Sequence, residues 1–155
     1  MSLSALLIAH FRKSQIASVF LLLAGNAAAD SRPANLLSID IHGDVYRVEL
    51  ATTPDTRARG LMFRESLDPH GGMLLVFARE GDRRIWMKNV PIALRVYWID
   101  DDYEVVAELR LPPCKADPCP VYAAGRPARY VLELADRDHP LRVGDRINGL
   151  DSLPR

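Results

Sequence analysis

The sequence predicts a mainly β fold: a small barrel-like or sandwich domain of seven to eight short strands, with one short helix after the first hairpin. Three observations support this prediction. Short runs that alternate apolar and polar residues recur along the chain, turn residues separate these runs, and only one segment carries helix-capping signals. The composition fits one globular domain, because 48% of the 155 residues are hydrophobic and 26% are charged.

The first elements have the clearest signals. Residues 36–51 hold two alternating runs around the turn sequence "HGD", which predicts a β-hairpin. Residues 53–60, "TPDTRARG", predict the helix. Thr53 suits the N-cap, Pro54 suits the first turn, and Gly60 is placed to end the helix.

The later elements are strands divided by polar turns. One proline- and cysteine-rich loop follows the strand predicted at 103–111, between residues 112 and 120. We expect a single β-rich domain over residues 36–150, a flexible mature N-terminus at 30–35 and a C-terminal tail at 151–155. The remaining strands are predicted at 73–77, 85–89, 92–99, 103–111, 128–134 and, as a short closing strand, 141–147.

Residues 1–29 resemble a secretory signal peptide. Basic residues Arg12 and Lys13 precede an apolar run of about ten residues, and "NAAAD" places Ala27 and Ala29 for a small-x-small cleavage site. The apolar run is short for a spanning helix, which needs about 20 residues. We therefore predict a periplasmic or secreted protein with no stable membrane insertion after cleavage; an uncleaved N-terminal anchor is the alternative.

The charge balance bears on the partners. Residues 30–155 contain 18 basic and 20 acidic residues, a net charge of −2. Binding to phosphate backbones needs a basic surplus, so we expect no nucleic acid as a partner. The expected partner is a small-molecule or protein ligand in the cell envelope, and we expect the protein itself to be a monomer.

The cysteines, Cys114 and Cys119, lie in "PPCKADPCP". An exported chain meets an oxidising compartment, so we predict a structural disulfide between them. Such a short ring contributes about 2 kcal/mol in the loop-entropy description, so its main effect is on the local shape of the loop. A redox-active pair is not favoured, since four residues separate the cysteines instead of two.

The segment "RRIWMKNVPI" (83–92) brings together four different side-chain chemistries. On a strand, Met87 and Asn89 would share one face with Ile85, while Trp86 and Lys88 would share the other. That spacing places an ammonium within cation–π reach of the indole. We predict that Met87 packs inward and that the other pair faces the rim of a sheet; the alternative places Trp86 in the core.

The sequence is compatible with three classes of site. A non-catalytic ligand site is favoured, in which Trp86, Lys88 and Asn89 act with two flanking arginines, Arg59 and Arg64. We predict no cofactor, no bound metal and no catalytic residue for it. The two alternatives are a Cu(I) site formed by Met62, Met73 and Met87, and a hydrolase for envelope carbohydrate using the carboxyl pair Glu108 and Glu133.

Each alternative also has a plainer interpretation. Methionine commonly fills gaps in an apolar core, and carboxylates on strands commonly face solvent. The histidines of the mature chain are interpreted as exposed loop residues, because each stands next to a glycine or proline: His42, His70 and His139. On the surface the two arginines would pair with nearby carboxylates and contribute little.

Six motifs occur in an order that resembles a known family, domain of unknown function 192. They are "ARGLMFRESL" (58–67), "GMLLVF" (72–77), "IWMKNVPIAL" (85–94), "PPCKADPCPVY" (112–122), "ARYVLEL" (128–134) and "VGDRI" (143–147). The resemblance implies a compact, mainly β fold with a short helix after the first hairpin, in an exported protein. It implies no reaction, because the activity of that family is not established.

The residues that match the family pattern include the candidate site residues, and three residues depart from it. Matching positions include Arg59, Gly60, Arg64, Trp86, Lys88, Asn89 and Glu133. The family commonly has threonine at the position of Val90, proline at that of Ala93 and an acid at that of Arg95. The reversed charge at Arg95 removes a carboxylate that the resemblance would place near Lys88.

Overall fold

The computed structural model describes residues 35–137 and 141–153. The predicted signal peptide at 1–29 and His139 lie outside these residues. Among the described residues, no helix has the length and apolar character to cross a membrane. The elements, in chain order, are β1 (Leu36–Ile41), β2 (Asp44–Ala51), α1 (Pro54–Arg59), β3 (Gly71–Gly81), β4 (Arg84–Trp86), β5 (Leu94–Ile99), β6 (Val105–Leu111), β7 (Val121–Ala123), β8 (Ala128–Ala135) and the 3-10 helix η1 (Leu150–Ser152).

The strands form two sheets. Six of them make one sheet in the order β1-β2-β3-β8-β5-β6, and β4 pairs with β7 in a separate two-stranded sheet. Neighbours are antiparallel except β2 and β3, which run parallel and are joined through α1. This arrangement confirms the predicted mainly β fold and is sandwich-like. It is no closed barrel, because the six-stranded sheet keeps two edges, β1 and β6.

The predicted hairpin and helix both form as their local signals dictate. Between β1 and β2, His42 and Gly43 have φ values of 52° and 95°, as a two-residue type I′ turn requires. At α1, Thr53 is the N-cap and makes a capping box with Thr56. These contacts satisfy backbone donors that a helix leaves open at its start. The helix is therefore positioned by its own sequence.

The predicted closing strand at 141–147 is wrong. This segment makes a tight turn in which Asp145 accepts a hydrogen bond from the backbone of Arg142 at 2.7 Å. Gly144 has a φ of 95°, which is incompatible with a continuous strand. Only isolated bridges remain, Asp40 with Asn148 and Glu104 with Arg146.

The strand predicted at 85–89 is shorter than expected. It ends at Trp86, because residues 87–90 turn and the amide of Val90 donates to the carbonyl of Met87 at 3.2 Å. Asn89 has a φ of 57° within this turn. The partner strand β7 was not predicted, since its three residues follow directly on the proline-rich loop. That loop contains the predicted disulfide, which joins Cys114 to Cys119.

The centre of the six-stranded sheet is buried on both faces, as the burial of nearly every residue of β8 shows. Tyr130, Leu132 and Leu134 point to one face, which we call the sealed face, and Val131 and Glu133 point to the other, the cavity face. The C-terminal segment covers the sealed face with Leu141, Ile147, Leu150 and Leu153. The cavity face is covered by side chains from β4 and from the loops after α1 and β4, namely Ile85, Leu61, Met87 and Val90.

Candidate functional site

A cavity of about 340 Å³ lies between the end of α1 and β4 on the cavity face. Its walls are largely apolar, and charged side chains stand among them. The volume is at the lower end of the range typical of small-ligand sites. The lining residues are Pro54, Arg57, Ala58, Arg59, Gly60, Leu61, Met62, Leu75, Phe77, Arg84, Ile85, Trp86, Lys88, Val90, Leu94 and Glu133.

Among the described residues that line this cavity, Glu133 has the only carboxyl group. It lies on β8, inside the six-stranded sheet, where its neighbours across the strands are Met73 and Val96. Its side chain is only 5% exposed. The expectation that Glu133 faces solvent is therefore wrong, because β8 is covered on both faces and an alternating pattern alone does not show that.

One oxygen of the Glu133 carboxyl, Oε2, is buried and makes no hydrogen bond within the described part of the chain. Burial disfavours the charged form and raises the pKa of Glu133 to about 7. A buried acceptor without a partner costs free energy of folding, so a ligand that supplies a donor would recover part of that cost.

Gly60 lies beside this carboxyl. A Cβ atom built on Gly60 would lie 3.7 Å from Oε2 of Glu133, in ordinary van der Waals contact. The residue also has a φ of 48° and a ψ of −134°, a conformation that favours glycine. Its amide donates to the carbonyl of Thr56 at 3.0 Å, which holds the end of α1 at this position.

Trp86 and Lys88 form one side of the cavity, as the alternation predicts. Ile85 and Met87 are buried, Met87 to 1% exposure, whereas Trp86 is 45% exposed. The Nζ atom of Lys88 lies 5.5 Å from the centre of the Trp86 ring, in cation–π contact. The same Nζ is 4.0 Å from the exposed carboxylate of Asp117, a weak pair that leaves the ammonium accessible.

Three arginines add positive charge around the cavity. Arg57 is held in place, because its Nη1 donates to the carbonyls of Thr52 and Val76 at 2.6 and 2.9 Å. Arg84 pairs with Asp82 at 2.8 Å. Arg59 is exposed at the end of α1 and makes no ion pair with any residue that the structure describes.

The structure brings together three of the five predicted site residues, Arg59, Trp86 and Lys88. It places Arg64 elsewhere, beside a second cavity, in a two-point ion pair with Glu49 whose longer contact is 2.7 Å. Asn89 lines a third, shallower cavity. Its carbonyl accepts the amide of Phe63 at 2.7 Å, so this residue organises a turn.

The metal alternative gains no support from the geometry. Met73 and Met87 are buried within the apolar cluster of the cavity face, and of the three methionines only Met62 lines the cavity. In residues 35–137 and 141–153, no group of three or more His, Cys, Asp or Glu side chains is arranged to hold a metal ion.

The carboxyl pair proposed for glycoside chemistry does not form. Glu108 stands beside Tyr97 and Glu133 beside Val96, and adjacent residues of β5 point to opposite faces. The two carboxyl groups therefore lie on opposite sides of the sheet. Glu108 instead forms an ion pair with Arg95 at 2.6 Å. Arg95 is the residue whose charge is reversed relative to the family pattern, and its ionic partner is therefore Glu108.

Comparisons with known proteins place this fold in a family. The family described as "DUF192: Uncharacterized ACR, COG1430" matches residues 37–149. A comparison with curated proteins found no match.

Two solved structures are similar to the chain. One is a protein from Sinorhizobium meliloti 1021 described as a "putative transcription regulator", with 27% sequence identity and a TM-score of 0.62 over 74% of this chain and 92% of that chain. The other, a protein of unknown function from Novosphingobium aromaticivorans DSM 12444, has 26% identity and a TM-score of 0.61 over 73% of this chain and 84% of that chain. The extent of the family match shows that the chain belongs to the DUF192 family.

Proposed function

We propose that the protein is an exported, non-catalytic binding module whose cavity takes a small organic anion. The observation that carries this proposal is the carboxyl of Glu133, buried without a partner at a cavity that also holds Trp86 and Lys88. Most buried polar atoms of native structures are hydrogen-bonded, so a buried acceptor without a partner calls for an explanation, and a bound ligand is one. A ligand would satisfy the acceptor and cover the exposed indole at the same time.

The balance of charge favours an anion. The cavity lining has four cationic side chains, Arg57, Arg59, Arg84 and Lys88, and a single carboxyl group. Arg57 is held by two backbone carbonyls and Arg84 by Asp82, whereas Lys88 has only a weak contact with exposed Asp117 among the described residues, so Arg59 and Lys88 are the cations most open to a ligand. Complementary charge of this kind attracts a ligand and orients it within the cavity.

The location outside the cytosol is part of the proposal. The signal-like pattern of residues 1–29 and the bond between Cys114 and Cys119 both support export. Residues 30–155 have a net charge of −2, which does not suit a nucleic-acid partner.

A fluorescence titration tests the binding function. Trp98 is buried and donates its indole N–H to the carbonyl of Arg83, so Trp86 is the tryptophan that senses the cavity. Hexanoate, hexanol and hexylamine are added at about pH 6, where Glu133 is mostly protonated and tolerates a ligand without a donor. We expect a saturable change in emission with hexanoate, a weaker one with hexanol and none with hexylamine.

The matched control is Trp86→Phe, which keeps Trp98 as the sole tryptophan. Its emission should not respond to hexanoate. A flat response of the wild-type protein to hexanoate, or an equal response to hexylamine, would contradict the proposal that this cavity binds small anions.

A further inference from the structure

We infer that the cavity selects hydroxylated aromatic carboxylates, with the ring hydroxyl at Glu133 and the ligand carboxylate near Lys88 and Arg59. This inference rests on the binding function proposed above and names the ligand class. Three features of the lining support it: the acceptor at Glu133, the apolar wall, and the cationic side chains of Lys88 and Arg59.

The first feature is the unpartnered acceptor. Glu133 lines the cavity next to Gly60, and its buried Oε2 makes no hydrogen bond among the described residues, so a ligand that contacts this carboxyl should present a donor. An ammonium group would donate, but a cationic ligand would meet the positive charges of Arg59 and Lys88. An uncharged hydroxyl donates without that penalty, and its hydrogen bond to a carboxylate is charge-assisted.

The second feature is the apolar wall. Leu61, Leu75, Phe77, Ile85 and Leu94 line the same cavity as the carboxyl and the indole. A sugar would place several hydroxyl groups against this wall without partners, which costs binding free energy. A flat ring with a single hydroxyl buries apolar area against the same side chains and leaves no other polar group unsatisfied.

The third feature is the cationic side of the cavity. The ammonium of Lys88 is half-exposed and contacts the Trp86 ring, and among the described residues its only ionic partner is the exposed Asp117. Arg59 is exposed nearby in the same lining. A ligand carboxylate can therefore reach a positive charge without breaking a buried ion pair, and the carboxylate stays partly in water.

Three matched probes test the ligand class by calorimetry. They are 4-hydroxyphenylacetate, phenylacetate, which lacks the hydroxyl, and 4-hydroxyphenylethanol, which lacks the carboxylate. Each is titrated into the wild-type protein and into Glu133→Gln at about pH 8, where the carboxyl of Glu133 is mostly ionised. Glutamine retains the size of the side chain and removes its charge.

We expect 4-hydroxyphenylacetate to bind the wild type at least about tenfold more tightly than either analogue, because each analogue leaves one charged group of the cavity without its partner. In Glu133→Gln the advantage over phenylacetate should shrink to about threefold or less, while the advantage over 4-hydroxyphenylethanol should remain. Binding of 4-hydroxyphenylacetate near pH 7 should also release protons, measured as a dependence of the binding enthalpy on the buffer.

The outcomes separate this inference from the binding function. If hexanoate binds at pH 6 and the three aromatic probes bind equally, the ligand class is wrong and the binding function stands. An unchanged preference for the hydroxyl in Glu133→Gln would also overturn the inference. If neither hexanoate nor any aromatic probe binds, both proposals fail.

Discussion

The two faces of the six-stranded sheet differ in what covers them. On the sealed face, Leu132 and Leu134 of β8 pack under the C-terminal segment with Ile147 and Leu150. On the cavity face, Glu133 stands between those two leucines in sequence, and the covering elements leave about 340 Å³ open above it. One strand thus contributes apolar packing to one side of the sheet and an unsatisfied carboxyl group to the other.

Alternate residues of β8 therefore have different roles: those on the sealed face stabilise the fold, and Glu133 on the cavity face is a candidate ligand contact. The sealed face gains from burying apolar area, about 25 cal/mol for each Å². The cavity face gives up part of that gain, because it buries a carboxyl group whose charged form is disfavoured. A residue that lowers stability and lines a cavity is a reasonable candidate for a ligand contact.

The largest effect is expected on the sealed face. Leu132→Ala should lower the free energy of unfolding by about 2–5 kcal/mol, because Leu132 is fully buried and its removal leaves a cavity. Urea unfolding measures this change. The matched control is Leu109→Ala on the edge strand β6, where the leucine is 38% exposed and the loss should be much smaller. Equal losses in the two variants would contradict the distinction between the sealed face and an exposed position.

On the cavity face, a substitution should stabilise the protein. Burial raises the pKa of Glu133 from 4.5 to about 7, so the folded state holds this proton more tightly than the unfolded chain. The contribution of Glu133 to stability is therefore greatest below pH 4.5 and is lost as the pH rises through 7. The difference between the two pKa values corresponds to about 3 kcal/mol.

Glu133→Gln removes the loss of stability that accompanies the ionisation of Glu133 as the pH rises. Above pH 7 the variant should be more stable than the wild type by up to about 3 kcal/mol, and the two should converge toward low pH. Urea unfolding across a pH series measures both. The control is Glu108→Gln, which removes the carboxylate paired with Arg95 on the other side of the sheet and should keep the wild-type loss between pH 4.5 and 7. A Glu133→Gln protein with the wild-type pH dependence would show that this carboxyl is not the buried acid described here.

The smallest effect on stability is expected at Lys88. Lys88→Met removes a half-exposed charge and a cation–π contact, so the free energy of unfolding should change by no more than about 1 kcal/mol. Binding of hexanoate should weaken several-fold and become less sensitive to salt, because one cationic partner is lost. Lys115→Met, in the exposed disulfide loop, is the matched control and should leave hexanoate binding unchanged. If the two variants bind hexanoate equally well, Lys88 is not part of the binding site.

Local signals in the sequence were sufficient for several elements. The turn at His42 and Gly43 and the capped helix after Thr53 are set by neighbouring residues, so they form as predicted. Alternation along the chain also separated buried Met87 from exposed Trp86. These features depend on contacts within a few residues, and such contacts are visible in a single sequence.

Other parts of the site depend on residues far apart in the chain. Arg64 was predicted near Trp86, but Glu49 on β2 draws it into an ion pair beside another cavity. The closing strand was predicted from alternation at 141–147, whereas Gly144 turns the chain there. In both cases the local pattern was compatible with several partners, and long-range packing selected one.

The sequence alone determined that the chain alternates as a β protein, where its helix begins, and which side of residues 85–88 bears the indole and the ammonium. Only the tertiary structure decided that Glu133 is buried without a partner and that Gly60 lies above it. The physical reason is that periodicity assigns a side chain to a face of a strand. What covers that face is decided by elements distant in the chain, and that covering sets the solvation and pKa of the group beneath it.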